Sequence, residues 1–303
     1  MDILQDVYQG LERIADSMAA SASPFLDMAG PKGSFTRVYA GVVLSGLSFW
    51  LLELIFLALL KPLLIRVYQD HAAEKGNVKA QLRKAKGTAT LTVARLVGTV
   101  HNSIQVPVGL MILADPRFLG DRINTITNLS CAMCYISAGY FFHDLVMCIK
   151  RFSLEGPLYT THALACHIAY TFGIYSGFLH YHGAAFLMWE ISTPFVHARW
   201  VMYKAGLANT TAYLINGLCM LFAFFGCRIA WGYYESYHLV YDVVSERYRE
   251  GSTFPLTGTV AYCIIAVVMN CLNTHWFLKM ASAAVALFIK GKKGSEVGSH
   301  KDE

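Results

Sequence analysis

The chain has 303 residues, of which 55% are apolar and 15% charged; its net charge is +5 and its mean hydropathy +0.42. Soluble domains carry about 25% charged residues, so this composition argues against a soluble domain and for a polytopic membrane protein. The lysine-rich stretches sit in no nucleic-acid-reading motif, which removes DNA and RNA from the expected partners.

The first residues, MDILQDVYQGLERIADSM, lack the basic and apolar regions of a signal peptide. Ile3, Val7, Leu11, Ile14 and Met18 recur at helical spacing opposite Asp6, Gln9, Arg13 and Asp16. That pattern predicts an amphipathic helix, docked on the bundle or lying at the membrane interface. Pro24 and the run Gly30-Pro31-Lys32-Gly33 are expected to end it, making 1–35 an N-terminal helix and linker.

Apolar segments of about 20 residues, long enough for a ~30 Å hydrocarbon core, follow near 37–60, 89–113, 124–149, 158–179, 183–203, 209–232 and 257–289. The expected fold class is therefore all-α, with seven transmembrane helices. Residues 36–88 hold the first helix and a basic loop, 89–290 hold the other six, and 291–303 form a tail. Fifteen Lys and Arg residues fall in one set of alternate connections, including Lys75, Lys79, Arg83, Lys84, Lys86, Lys150, Arg151, Arg199, Lys204, Lys290, Lys292, Lys293 and Lys301. Seven fall in the other. The positive-inside rule then places the N-terminus outside the cytosol and the C-terminus within it. On this topology Asn209-Thr210-Thr211 is cytosolic and Asn128-Leu-Ser130 lies in a span, so neither is expected to carry a glycan. The eight cysteines are scattered, and the one CxxC, Cys131-Ala-Met-Cys134, has no second pair. No metal site is expected.

Ionisable groups inside spans are expensive, so each is a candidate for function. The third span carries Ser137, Tyr140 and Asp144 on one helical face, with His143 beside Asp144. The fifth carries Glu190, Thr193, Pro194 and His197 in another such stripe. Arg228 lies in the sixth, Asn270, Asn273 and Thr274 in the last, and Arg95, Thr99, His101 and Asn102 in the second. Asp144, Glu190 and Arg228 sit far from either interface. Pairing Arg228 with one or both carboxylates would remove most of a penalty of at least ~2.5–3.5 kcal/mol per lone charge. The plainer expectations are that Arg199 and Lys279 snorkel to an interface, that Asn270 and Thr274 bond neighbouring helices, that His167 packs, and that His180 and His182 are solvated in a turn.

These same stretches carry a resemblance. TVH at 99–101, AGYFFHDL at 138–145, the histidine region at 159–167, WEISTPFVHARW at 189–200, INGLCMLFAFFGCRIA at 215–230 and VMNCLNTHW at 268–276 resemble the TLC-domain family. That family is shared by translocating-chain-associated proteins and ceramide synthases, and the match is nearer the small TLC-domain-containing proteins. The resemblance implies a six-helix barrel around a lipid-receiving cavity, preceded by one extra helix. In acyl-transferring members the motif holds two adjacent histidines; here the matching positions read His162-Ala163. His167 does not restore the pair, because five residues turn the side chain about 140° away.

Two readings follow. In the first, the protein binds a lipid or acyl chain and serves membrane lipid homeostasis or trafficking without catalysis. In the second, it is an acyl-CoA-dependent acyltransferase with His162 as base and Asp144 as orienter. Candidate binding residues are Arg95, His101, Glu190, Thr193, His197, Arg228 and Asn270. No cofactor is implied, since acyl-CoA enters only as a substrate of the second reading, and no oligomer is assigned. The resemblance and the missing signal suggest the endoplasmic reticulum or a connected endomembrane; the final HKDE is not the lumenal retrieval signal.

Overall fold

Apolar side chains along α2 (Phe35–Leu59) surround the helix, yet just one stripe is buried: Val38, Val42, Gly46, Phe49 and Glu53, spaced by three and four residues. Leu44, Leu47, Leu51, Leu54 and Ile55 on the other faces are exposed, as lipid contact requires. The computed structural model describes residues 2–30, 32–72 and 78–299, whose regular elements are all helical. Pro31, Lys75, Lys301 and the HKDE tail lie outside the described residues, as do the side chains of Lys290, Lys292 and Lys293.

The N-terminal helix α1 (Asp2–Met28) runs through Pro24 and stops at Gly30, which takes φ 117°. Of the two expected stop signals Pro24 does not act and the glycine run does: a proline this near a helix end removes a single backbone bond, and the glycine supplies the break. The helix is docked, but not through its apolar face: Ala15 is buried beside the contacting side chains. Tyr8, Glu12 and Asp16, four residues apart, reach Thr127, Arg117 and Asn128 at 3.2, 3.6 and 2.5 Å. Ile3, Val7, Ile14 and Met18 stay exposed.

After α3 (Lys61–Ala72) comes α4 (Val78–Ala114), which begins well before the expected span. The short α5 (Pro116–Gly120) leads to α6 (Asn128–Lys150), capped by Thr127 and Ser130. Asn128 therefore opens α6 on the exposed side, instead of lying inside a span, and the Ser130 hydroxyl is buried against Thr127 and His180. α7 (Phe152–Ser176) kinks at Gly156 before Pro157. The expected fifth span is broken into α8 (His180–Leu187), a 3-10 turn over Met188–Ser192 and α9 (Thr193–Lys204). A turn at Leu207–Asn209 precedes α10 (Thr211–Phe224), which passes through a π turn at Phe225–Ala230 into α11 (Trp231–Tyr248); α12 (Leu256–Ser299) completes the chain.

Among the described residues, five helical stretches are long and apolar enough to cross a membrane: Phe35–Leu59, Val78–Ala114, Asn128–Lys150, Thr211–Tyr248 and Leu256–Ala286. The protein is thus an all-helical polytopic membrane protein. The regions expected as spans four and five are helical, but His162 and His167 lower the apolarity of one, and the other is divided among α8, the 3-10 turn and α9.

Packing closes a ring. α4 touches α6, α6 touches α7, and α7 touches α12. α12 touches the α10–π–α11 unit, that unit touches α8 and α9, and these return to α4. α2 lies outside, on α4, α6 and α7. Its crossing with α6 is tight: a Cβ on Gly139 would stand 2.7 Å from the Gly46 backbone nitrogen.

Candidate functional site

The ring encloses a cavity of about 1660 Å³, larger than the ~300–1,000 Å³ of typical small-molecule pockets. It extends from Arg151, Glu155, Tyr203 and Thr210, at the end of the ring bearing Lys150 and Lys204, down to His162, Glu190 and Arg228. Below this floor lies a second, small cavity of about 60 Å³. Phe141, His162 and Glu190 line both spaces, so they form the partition.

The floor is a polar network built by three local irregularities. The 3-10 turn places Glu190 and Ser192; Thr193 follows at the start of α9, where Pro194 sits without a donor to waste. The π turn contributes one extra residue per turn and directs Arg228 into the ring. Arg228 donates through Nε to Ser192 Oγ (2.9 Å), through Nη1 to Asn273 Oδ1 (3.3 Å), and through Nη2 to Thr193 Oγ1 (2.9 Å) and Glu190 Oε1 (3.3 Å). Glu190 Oε2 also accepts from Asn102 (3.0 Å) and Thr193 (2.6 Å). Arg228 and Glu190 are 6% and 8% exposed. The charge that hydrocarbon would penalise is therefore paired and hydrogen-bonded at both ends.

Of the expected partners for Arg228, Glu190 meets it and Asp144 does not. Asp144 stands apart on the cavity wall with one weak contact, from Cys148 Sγ at 4.0 Å. No hydrogen bond joins Asp144 to His162 among the described residues, so the expected orienting contact is not made. His162 lines the floor, meets Cys166 Sγ at 3.9 Å through Nε2, and keeps a buried, unpartnered Nδ1. Ala163 beside it is fully buried.

Arg95, Thr193 and His197 also line the cavity. Arg95 stacks 3.9 Å over the Trp200 ring, and His197 Nδ1 meets Thr99 at 3.1 Å. His101 and Asn270 are not in the lining. His101 is fully buried behind Tyr140, stacked at 4.0 Å, and bonds Asn102 (2.9 Å) and Ser137 (3.4 Å). Asn270 bridges α12 to α11 through Ser236 at 2.9 Å.

Other expectations are corrected. Arg199 and Lys279, expected to snorkel, line the cavity, with Arg199 stacked 4.1 Å from Tyr213. His180 and His182 are not solvated; each is 1% exposed. The short turn before them folds α8 back into the ring. His180 bonds Ser130 (2.7 Å) and the Gly173 carbonyl (3.3 Å), and His182 sits between Glu235 (2.6 Å) and Asp242 (3.1 Å). His167 packs as expected, 3.2 Å from the Ala138 carbonyl and edge-on to Tyr39.

One group escapes the stripe argument. Glu53, on the outer helix α2, meets His143 at 2.8 Å and Arg151 at 2.9 Å. Its signal was a lone carboxylate on the single buried face of an apolar helix.

The sequence matches known proteins along this ring. A family model for the TLC domain covers residues 93–282. An uncharacterised TLC domain-containing protein of Schizosaccharomyces pombe is 25% identical over 242 residues, 80% of this chain and 77% of its own length. TLC domain-containing protein 4-B of Danio rerio is 30% identical over 219 residues, 69% and 79% of the two chains. TLC domain-containing protein 4 of Homo sapiens is 30% identical over 203 residues, 63% and 73%. These relatives are small TLC-domain proteins rather than ceramide synthases, and the chain that folds into this ring belongs to the TLC-domain family.

Proposed function

We propose that the protein binds a membrane lipid or acyl chain in the ring cavity and acts, without catalysis, in membrane lipid homeostasis or trafficking. On this reading the chain crosses the bilayer seven times in the endoplasmic reticulum or a connected endomembrane, with a lumenal N-terminus and a cytosolic C-terminus. The 15-to-7 division of basic residues carries the orientation. The kinked and segmented helices complete the seven crossings, since irregular backbone is tolerated where it lines a cavity. The observation that carries the binding role is a 1660 Å³ space whose floor charges are already satisfied by one another. Such a floor can close a chamber without acting on what fills it.

The acyltransferase reading keeps one specific support: the unpartnered Nδ1 of His162 at the floor. Against it stand the absence of a hydrogen bond from Asp144 and the Ala163 that follows. The test is direct. Protein purified in detergent retains lipid in native mass spectrometry and transfers no labelled acyl chain from acyl-CoA. Turnover abolished by His162→Ala would reverse the assignment.

A further inference from the structure

We infer that the polar end of the bound lipid is an ammonium–phosphate zwitterion, the headgroup of an ethanolamine or choline phospholipid. This assignment rests on the lipid-binding reading above.

It follows from the charges that the cavity leaves unpaired. Arg228 is neutralised by Glu190, and Arg151 by Glu53. Among the described residues Arg95, Arg199 and Lys279 line the same space with no carboxylate in ion-pair contact, and Asp144 and Glu155 line it with no cation in ion-pair contact. Opposite charges free to move would close on one another. Here two of the cations are held. Arg95 lies flat on Trp200 and spends one N–H on the Leu91 carbonyl (3.1 Å); Arg199 lies flat on Tyr213 and spends one on the Tyr213 carbonyl (3.4 Å). Stacking leaves the guanidinium edges, with their remaining donors, for a planar or tetrahedral anion.

A ligand must answer both signs. A purely anionic headgroup would leave Asp144 and Glu155 uncompensated. A neutral lipid would leave all five groups, and a simple amine would leave the three cations. A phosphate joined to an ammonium group answers both sets at once. The stacked pair Tyr159 and Trp276, 5.2 Å apart on the same wall, adds aromatic faces that attract primary and quaternary ammonium alike.

The test offers detergent-purified full-length protein an equimolar mixture of phosphatidylethanolamine, phosphatidylcholine, phosphatidic acid and diacylglycerol with identical acyl chains. Retention is read by native mass spectrometry. One or both zwitterionic lipids are expected at about tenfold excess over the other two, the scale of one charge-assisted contact. Asp144→Asn should remove the advantage over phosphatidic acid, and Arg95→Gln the advantage over diacylglycerol. Glu155→Gln, at the solvent-facing mouth, repeats the first arm if Asp144→Asn does not fold. Equal retention of all four lipids, or phosphatidic acid foremost, would overturn the headgroup assignment while leaving lipid binding intact. Retention of none would overturn the lipid reading itself.

Discussion

Replacing Arg228 with leucine tests whether the cavity floor is a compensated charge cluster. The guanidinium makes four hydrogen bonds and one ion pair while 6% exposed. Leucine removes all of them and leaves the Glu190 carboxylate buried, supported just by Asn102 and Thr193. Breaking a buried pair from one side costs about 3–5 kcal/mol. At about 2–4 °C per kcal/mol for a chain of comparable size, the apparent melting temperature should fall by roughly 6–20 °C. Lys279→Leu is the control. Lys279 lines the same cavity but is exposed and unpaired, so its loss should lie within about ±0.5 kcal/mol. The assay is tryptophan-fluorescence melting in a single detergent. The double variant Arg228→Leu/Glu190→Leu should melt above Arg228→Leu alone, because it also removes the orphaned carboxylate. Equal melting of Arg228→Leu and Lys279→Leu would refute the cluster.

Phe141→Ala should join the two cavities, since Phe141 is part of their partition and stacks on Tyr170 at 5.7 Å. Mass spectrometry of co-purified lipid should then show a shift toward longer acyl chains, together with a stability loss of about 3–5 kcal/mol. Gly139→Val should displace α2 and lower the melting temperature, as overpacking costs about 1–3 kcal/mol. Gly87→Ala, where nothing lies within 4 Å, should not. At the α5 end, burial raises the Asp115 carboxyl, but hydrogen bonds from the Arg117 side chain and backbone outweigh it and hold the group below its ordinary range. Its contribution is therefore present above the unfolded pKa of about 3.9 and is lost as pH falls through the lower folded value. Melting curves of the parent and Asp115→Asn should differ at pH 5–7 and converge as the pH falls below the ordinary carboxylate range.

Several features of the site were readable in one dimension. A charge deep in an apolar stretch must find an opposite charge, and that requirement offered Arg228 both Glu190 and Asp144; the structure pairs it with Glu190. The spacing of Glu190, Thr193 and His197 by three and four residues put them on one wall, where they are. The same reasoning failed for His101 and Asn270, because helical spacing assigns a face without saying whether that face meets a cavity or a neighbouring helix. It failed for His180 and His182, because a short polar turn looks solvated until α8 is seen to fold back under α11. Glu53 went unread because its partners, His143 and Arg151, lie 90 and 98 residues away.

By itself the sequence determined the all-helical membrane class, the positions of the long apolar helices and the family. Each rests on hydropathy or on short-range motifs, which act over one helix at a time. The tertiary structure decided which charges pair, which stand alone, and where the ring is hollow. Those outcomes depend on the 3-10 turn at Met188–Ser192 and the π turn at Phe225–Ala230. Each rotates its side chains off the regular helical phase, by an amount that packing against the other helices sets and that no local pattern specifies.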